Sequence, residues 1–230
     1  MRPLKSLIIG KGQIGTSLYN VLKGVHDVCI QDKEMEYGGE FDIVHICFPY
    51  SKDFVGDVKD YQDIYRAKYV VIHSTVPVGT SHECWAFHSP VTGKHPYLEQ
   101  SLKTFIKYLA PKSAVLKKYF EKAGIPIKLI KKPEETEAMK IWATTRYGLS
   151  IILEKEIYKY CKENKLDFKT VYTDAIKDYN EGYTKVGEKQ YIHPTIGHQE
   201  GKIGGHCVLQ NCDLLDHKIT RFIKNANKDY

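Results

Sequence analysis

The chain has 230 residues, 42% of them hydrophobic, with 34 Lys and Arg against 28 Asp and Glu for a net charge of +6. This length admits one large domain or two small ones. The lysines are spread along the chain with only short clusters, which argues for a solvated surface and an attraction for small anions and against nucleic acid.

No apolar run approaches the roughly 20 residues that span a bilayer. Leu4 to Gly10 leads directly into a strand and not into a leader, so no membrane partner and a cytoplasmic address are expected. Six cysteines without a Cys-x-x-Cys pair suggest free thiols in a reducing compartment.

In chain order, Ser6 to Gly10 is a short apolar run ending in glycine, and Gln13 to Lys23 follows with Ile14, Leu18, Val21 and Leu22 at helical spacing. Val28 to Gln31 reads as the next strand, Phe41 to Phe48 as a third closed by Pro49, and Val70 to His73 as a fourth. Ten positions separate Asp32 from Asp42, too few for a crossover helix and another strand, so one β-α element is missing. Trp85 to His88 and Ile125 to Ile130 supply two more strands, with a helix over Lys112 to Ala123. The expectation is an α/β sheet of about six strands over residues 1–132.

From Pro133 the pattern becomes helical. Pro133 suits a first turn, Glu134 and Glu135 complement the dipole, and apolar residues recur near helical spacing to Asn164. Phe168 to Tyr179 and Asp213 to Asn225 read as further helices, with Gly187 to Gly205 a polar loop between them. Residues 133–230 are thus expected to form a small all-helical domain. The whole reads as a trimmed Rossmann-type α/β domain followed by helices.

Gly10-Lys11-Gly12-Gln13-Ile14-Gly15 sits between a strand and a helix. The first glycine makes the turn, the second lets backbone approach a pyrophosphate, and the third lets helix and strand pack closely. Asp32, 22 positions after Gly10, stands where a carboxylate hydrogen-bonds the adenosine ribose and repels a 2′-phosphate. NAD is therefore the expected cofactor, with Gly10, Gly12, Gln13, Ile14, Gly15, Asp32, Pro49, Ser74, Thr75 and Val76 forming its site; Lys33 is a basic neighbour that could accept a phosphate. A turn aspartate and a plain loop after the fourth strand are the bland alternatives. Near the end, Gly204-Gly205-His206-Cys207 places a cysteine where backbone can approach a ligand, with His206 able to lower its pKa or act as a base. His193, His198, His206 and Cys207 match no zinc spacing, so no metal is expected. Four earlier histidines, His73, His82, His88 and His95, are expected to be structural.

Taken in order, the glycine turn, Ser74-Thr75-Val76-Pro77-Val78-Gly79-Thr80, Ser89-Pro90, Lys140 and Gly204-Gly205-His206-Cys207 resemble the UDP-glucose/GDP-mannose dehydrogenase family, within the 6-phosphogluconate and β-hydroxyacid dehydrogenase group. The resemblance implies oxidation of a sugar alcohol with NAD, Cys207 as the nucleophile and Lys140 as the oxyanion-binding or proton-handling lysine. It also marks departures. Thr144 stands for an asparagine, Val91 for an acid, and Asn211 for an aspartate, so no carboxylate base remains at those positions. The family's third, nucleotide-sugar-binding domain has no counterpart in the 23 residues after Cys207. Lys140, Thr144, His206, Cys207 and Asn211 are the candidate catalytic residues. Ser89, Lys94, His95, Arg146, Gly204 and Gly205 are the candidates for holding a small anionic sugar-like or hydroxyacid substrate. The family's long helix implies a homodimer. The competing reading is an NAD-binding sensor or scaffold that has lost catalysis.

Overall fold

A computed structural model describes residues 4–33, 37–204 and 207–230. It divides into two compact units, one up to Ile141 and one from Trp142 to Tyr230. Among the described residues no helix is long and apolar enough to cross a membrane.

The first unit is built on a parallel sheet. Its strands are β1 (Lys5–Ile9), β2 (Asp27–Gln31), β3 (Ile43–Ile46), β4 (Tyr69–Ile72) and β5 (Phe87–His88), in the order β2-β1-β3-β4-β5. β2 is an edge strand and β3 lies on the other side of β1, with Ile8 opposite both Ile30 and His45. The order is that of a dinucleotide-binding sheet trimmed at its first half, as the short Asp32–Asp42 connection requires. The single sheet of about six strands is corrected: β6 (Lys107–Leu109) and β7 (Ile127–Leu129) pair in parallel as a separate two-stranded sheet. An isolated bridge between His88 and Ala110 joins it to the end of β5.

Every central strand is buried on both sides, so its residues alternate between two cores. Ile8, Ile43 and Val71 face α1 (Gln13–Leu22), α4 (Leu98–Thr104) and α5 (Ala114–Lys122) through Leu18, Leu22, Leu102, Leu116 and Phe120. Leu7, Ile9, Val44, Ile46, Val70 and Ile72 face Phe54 and Val58 of α2 (Phe54–Ile64). The short α3 (Thr80–Glu83) follows the β4 loop.

The helix α6 runs from Pro133 to Glu163, as its sequence pattern predicts. In the second unit a helical stretch with a π turn at Lys169–Asp174 continues into α7 (Ala175–Lys185), six residues beyond the expected end at Tyr179. Gly182 does not stop it, because one helical glycine costs only about 1 kcal/mol. The helix expected over Asp213–Asn225 starts five residues later, as α9 (Lys218–Ala226), and a separate short helix, α8 (Val208–Asp213), precedes it. The break has a local cause: the His217 side chain accepts from Ile219 N at 3.2 Å while Thr220 Oγ1 accepts from His217 N at 3.2 Å, a capping box that starts a new helix. Ile152, Ile203, Val208, Cys212 and Ile223 form this unit's core.

Candidate active site

The glycine turn carries three different constraints. Gly10 has φ +107°, and a Cβ there would stand 2.9 Å from the Cys47 carbonyl carbon and the Phe48 nitrogen. A Cβ at Gly15 would stand 1.9 Å from the Gly10 oxygen, which rules out any other residue without a shift of α1. At Gly12 an added Cβ meets nothing within 4 Å. Gly12 is also the N-cap of α1 and supplies no side-chain cap, nor is there an acid in the first turn. Close packing thus fixes the first and third glycines, while a side chain at the second, at the start of α1, would meet nothing. That suits an anion, since the first amides of a helix lack intrahelical acceptors.

Gln13 begins α1 exposed, whereas Ile14 is half-buried against the core. Asp32 follows β2 exposed, its carboxylate accepting Lys33 N at 3.0 Å. Lys33 is held away: its ammonium pairs with Asp57 and lies 4.4 Å from the Phe48 ring centroid. Pro49 is exposed after β3. Ser74 is turned inward, its Oγ donating to Phe48 O at 2.5 Å, and Val76 is wholly buried, so in Ser74-Thr75-Val76 it is the backbone and the half-buried Thr75 that can face a ligand.

The next loop is more heavily tethered. Ser89 is buried, its N donating to Ile72 O at 2.8 Å and its Oγ to Tyr108 O at 2.8 Å. Lys140 Nζ donates to Val91 O at 2.8 Å, so the lysine meets the backbone of the position where the resemblance has an acid. The Val91 side chain itself is core, 4% exposed. Lys94 and His95 lie beyond it, both exposed.

Beneath this loop runs a buried polar chain whose proton directions follow from one end. His73 Nδ1 donates to Ser89 O at 2.8 Å, so its Nε2 accepts from His45 Nδ1 at 3.0 Å; His45 Nε2 then accepts the Tyr119 hydroxyl at 3.3 Å. The Tyr119 oxygen accepts in turn from Ser6 Oγ at 2.7 Å. Burial drives His45 down to about 3 and His73 well below its usual range, so both are neutral. His88, also held neutral by burial at about 3, lies 2.7 Å from Thr136 Oγ1 and 3.2 Å from Ser74 O. His73 and His88 are structural, as expected.

Sequence reading missed two ionisable groups here. Lys107 is 4% exposed, its ammonium held by Ser89 O and, at 3.0 Å, by Pro90 O, and burial lowers it to about 7. Glu137 is wholly buried and accepts Gly79 N at 2.6 Å and Ser81 N at 2.8 Å, fixing the loop after β4 to α6. Neither has a local signature, because each is defined by partners 17 or more residues away.

In the second unit, Asn211 Nδ2 donates to Thr144 Oγ1 at 3.1 Å, so the two residues at positions where the resemblance has an acid and an amide bind each other. Gly148 is where α6 meets α8: a Cβ there would stand 2.5 Å from Val208 Cγ1. Cys207 is exposed at the start of α8, whereas Cys47, Cys84, Cys161 and Cys212 are buried and Cys29 is half-buried. The segment before it is anchored by Ile203 N to Asn227 Oδ1 at 2.6 Å. His198 is tied to the buried Glu154 at 2.7 Å and stacked on Tyr158. Arg146 and Gly204 are exposed; Gly205 and His206 lie outside the described residues. The structure therefore brings together the glycine turn and its strand ends in one unit with Lys140 at Val91, and Thr144 with Asn211 in the other.

No family model and no curated protein sequence matches the chain. Solved structures do. A UDP-D-ManNAc dehydrogenase from Pyrococcus horikoshii is similar at TM-score 0.76 and 15% identity, over 98% of this chain and 68% of that one. A UDP-glucose dehydrogenase from Pyrobaculum islandicum gives TM-score 0.75 and 16% identity, over 99% and 68%. The 3-hydroxyisobutyrate dehydrogenase of Mycobacterium tuberculosis gives 0.72 and 12%, over 99% of this chain and 94% of that one. The motif-level resemblance to nucleotide-sugar dehydrogenases is thus matched by a like fold along the whole chain.

Proposed function

We propose that this chain is an NAD-dependent dehydrogenase acting on an alcohol or aldehyde of an anionic sugar-like or hydroxyacid substrate. The observation that carries the reading is the glycine turn, closed at Gly10 and Gly15 and open at Gly12 above the uncapped start of α1. The amides of α1 would hold the pyrophosphate, Asp32 the adenosine ribose, and the backbone of Ser74 to Val76 the nicotinamide end. Because Lys33 is engaged by Asp57, it offers a 2′-phosphate little, and NAD is preferred over NADP. Bound there, NAD would supply hydride exchange with a substrate carbon. Lys140 binds the substrate oxygen and passes its proton, a role suited to an ammonium held in a half-buried site. In the first unit Lys94 and His95 are the contacts for the substrate's anionic group; in the second, Cys207 is the candidate nucleophile for an acyl-forming second oxidation and Arg146 a further candidate anion contact.

A homodimer belongs to the same reading. Trp142, Leu149, Leu153 and Tyr160 are all exposed and lie on one stripe of α6, at spacings of 7, 4 and 7 residues. An apolar stripe about 27 Å long suits a second copy of the same helix.

The second reading, an NAD-binding sensor, is favoured by one observation: Thr144 and Asn211 satisfy each other and Val91 is core, so these three positions offer no base. The test is NAD reduction across a panel of sugar phosphates, UDP-sugars and β-hydroxyacids. The dehydrogenase reading expects turnover with at least one, lost on Lys140→Ala while NAD still binds. NAD binding with no turnover anywhere establishes the sensor instead.

A further inference from the structure

The Ser89-Pro90-Val91 turn presents three successive carbonyls to two lysine ammonium groups. Lys107 takes the first two and Lys140 the third. Ser89 O also receives His73 Nδ1 at 2.8 Å. No described carboxylate pairs with Lys107, although the group is 4% exposed. Among the described residues, carbonyl dipoles hold that cation, an arrangement that costs stability and that an aliphatic residue would avoid.

We propose that Lys107 is a positioning residue for Lys140: it fixes the turn whose last carbonyl holds Lys140, and while charged it favours the uncharged, proton-accepting form of Lys140. Like charges at neighbouring carbonyls disfavour each other's charged form. The coupling replaces, from below the turn, the control over Lys140 that a carboxylate at position 91 would exert with opposite sign. Its use in catalysis rests on the dehydrogenase reading; the coupling itself does not.

The groups that face Lys107 are His45 on β3, Cys47 just after it, His73 just after β4, His88 on β5 and Lys140 on α6. The histidines stay neutral above pH 6, and burial holds Cys47 protonated up to about 12. Between pH 6 and 9, Lys107 is therefore, of itself, Cys47 and the three histidines, the group that changes charge, near 7.

Competitive acetylation of the full-length chain with trace acetic anhydride, read peptide by peptide, tests this without a substrate. Below its own midpoint a lysine's log reactivity rises linearly with pH. For Lys140 the line should break near pH 7 and continue, displaced downward, as Lys107 loses its proton. In Lys107→Met the break disappears, and at pH 6 Lys140 labels more slowly than in the parent by on the order of ten-fold, one unit of coupling. Lys107→Arg, charged throughout, restores the fast labelling at pH 6 and removes the break. Exposed Lys128 serves as the reference and is unchanged in every variant. An unbroken line for Lys140 in the parent protein overturns the proposal, and that measurement needs no variant to fold. Equal labelling of Lys140 at pH 6 in the parent and Lys107→Met overturns it as well. Should the chain fail to bind NAD while the break is present, the dehydrogenase reading falls and the coupling stands.

Discussion

Lowering the pH should unfold the first unit by charging its buried histidines. His45 and His88 have folded values near 3 against 6.5 when unfolded, and His73 is displaced in the same direction by the same burial. A group whose folded value is depressed and whose charged form is the protonated one stays neutral in the fold. The unfolded chain therefore takes up protons that the folded chain refuses. Stability is complete above 6.5 and is lost as the pH falls toward 3. At pH 4.5 the two histidines with values cost about 2.7 kcal/mol each, about 5 together, and His73 adds to it. Against a typical net stability of roughly 5–15 kcal/mol this is decisive. Lys107 acts in another window: its lowered value weakens the fold as the pH falls from 10.5 to about 7 and contributes no slope below that. The assay is urea unfolding by circular dichroism at half-unit steps from pH 8 to 4, with amide exchange in β3 and β4 to assign the transition to this unit. The two histidines should give a slope of about 2.7 kcal/mol per pH unit between 6 and 4.5. His45→Gln should reduce that slope by about half. A stability flat from pH 6.5 to 4.5 would refute the burial of neutral imidazoles.

Other consequences follow from single contacts. Gly15→Ala forces a methyl onto the Gly10 oxygen and should lower stability by 2 kcal/mol or more, about the cost of overpacking, read by thermal melting; an unchanged melting temperature would mean α1 sits elsewhere. Iodoacetamide should label Cys207 well before Cys47 or Cys84, whose thiols burial pushes up to about 12 and about 11; equal rates would deny an accessible Cys207. Leu153→Glu, at a position 60% exposed on the α6 stripe, should shift sedimentation from dimer to monomer while leaving the melting temperature of the monomer unchanged; a parent protein already monomeric at high concentration would remove the dimer from the account.

The readable parts of this fold are those written in local chemistry. The β1-turn-α1-β2 unit declares itself through glycine spacing and apolar periodicity, and the short Asp32–Asp42 connection correctly implies a missing element. Pro133 and the two glutamates mark the start of α6 to the residue. What was not legible depends on partners distant in sequence. β6 is three residues long and opens with a lysine, so Lys107-Tyr108-Leu109 carries no strand pattern, yet it pairs with β7. The strand expected from Trp85 begins only at Phe87, because Trp85 turns the chain at φ 52° and is 80% exposed. The candidate site divides in the same way. The glycine turn was visible because its spacing is its geometry, whereas the Lys107–Ser89–His73–His45 network was not. Its one trace is a histidine at the centre of the apolar run Ile43-Val44-His45-Ile46.

The most direct measurement is calorimetric titration of NAD into the parent chain and into Gly12→Val. Gly12 has open space around it, so valine should alter stability by about 1 kcal/mol or less, the scale of an N-cap change, and yet occupy the place the pyrophosphate needs. The account predicts one NAD bound per parent chain, weaker binding of NADP, and no detectable NAD binding by a folded Gly12→Val. Equal affinity for NAD in the parent and Gly12→Val, or none in either, would contradict it.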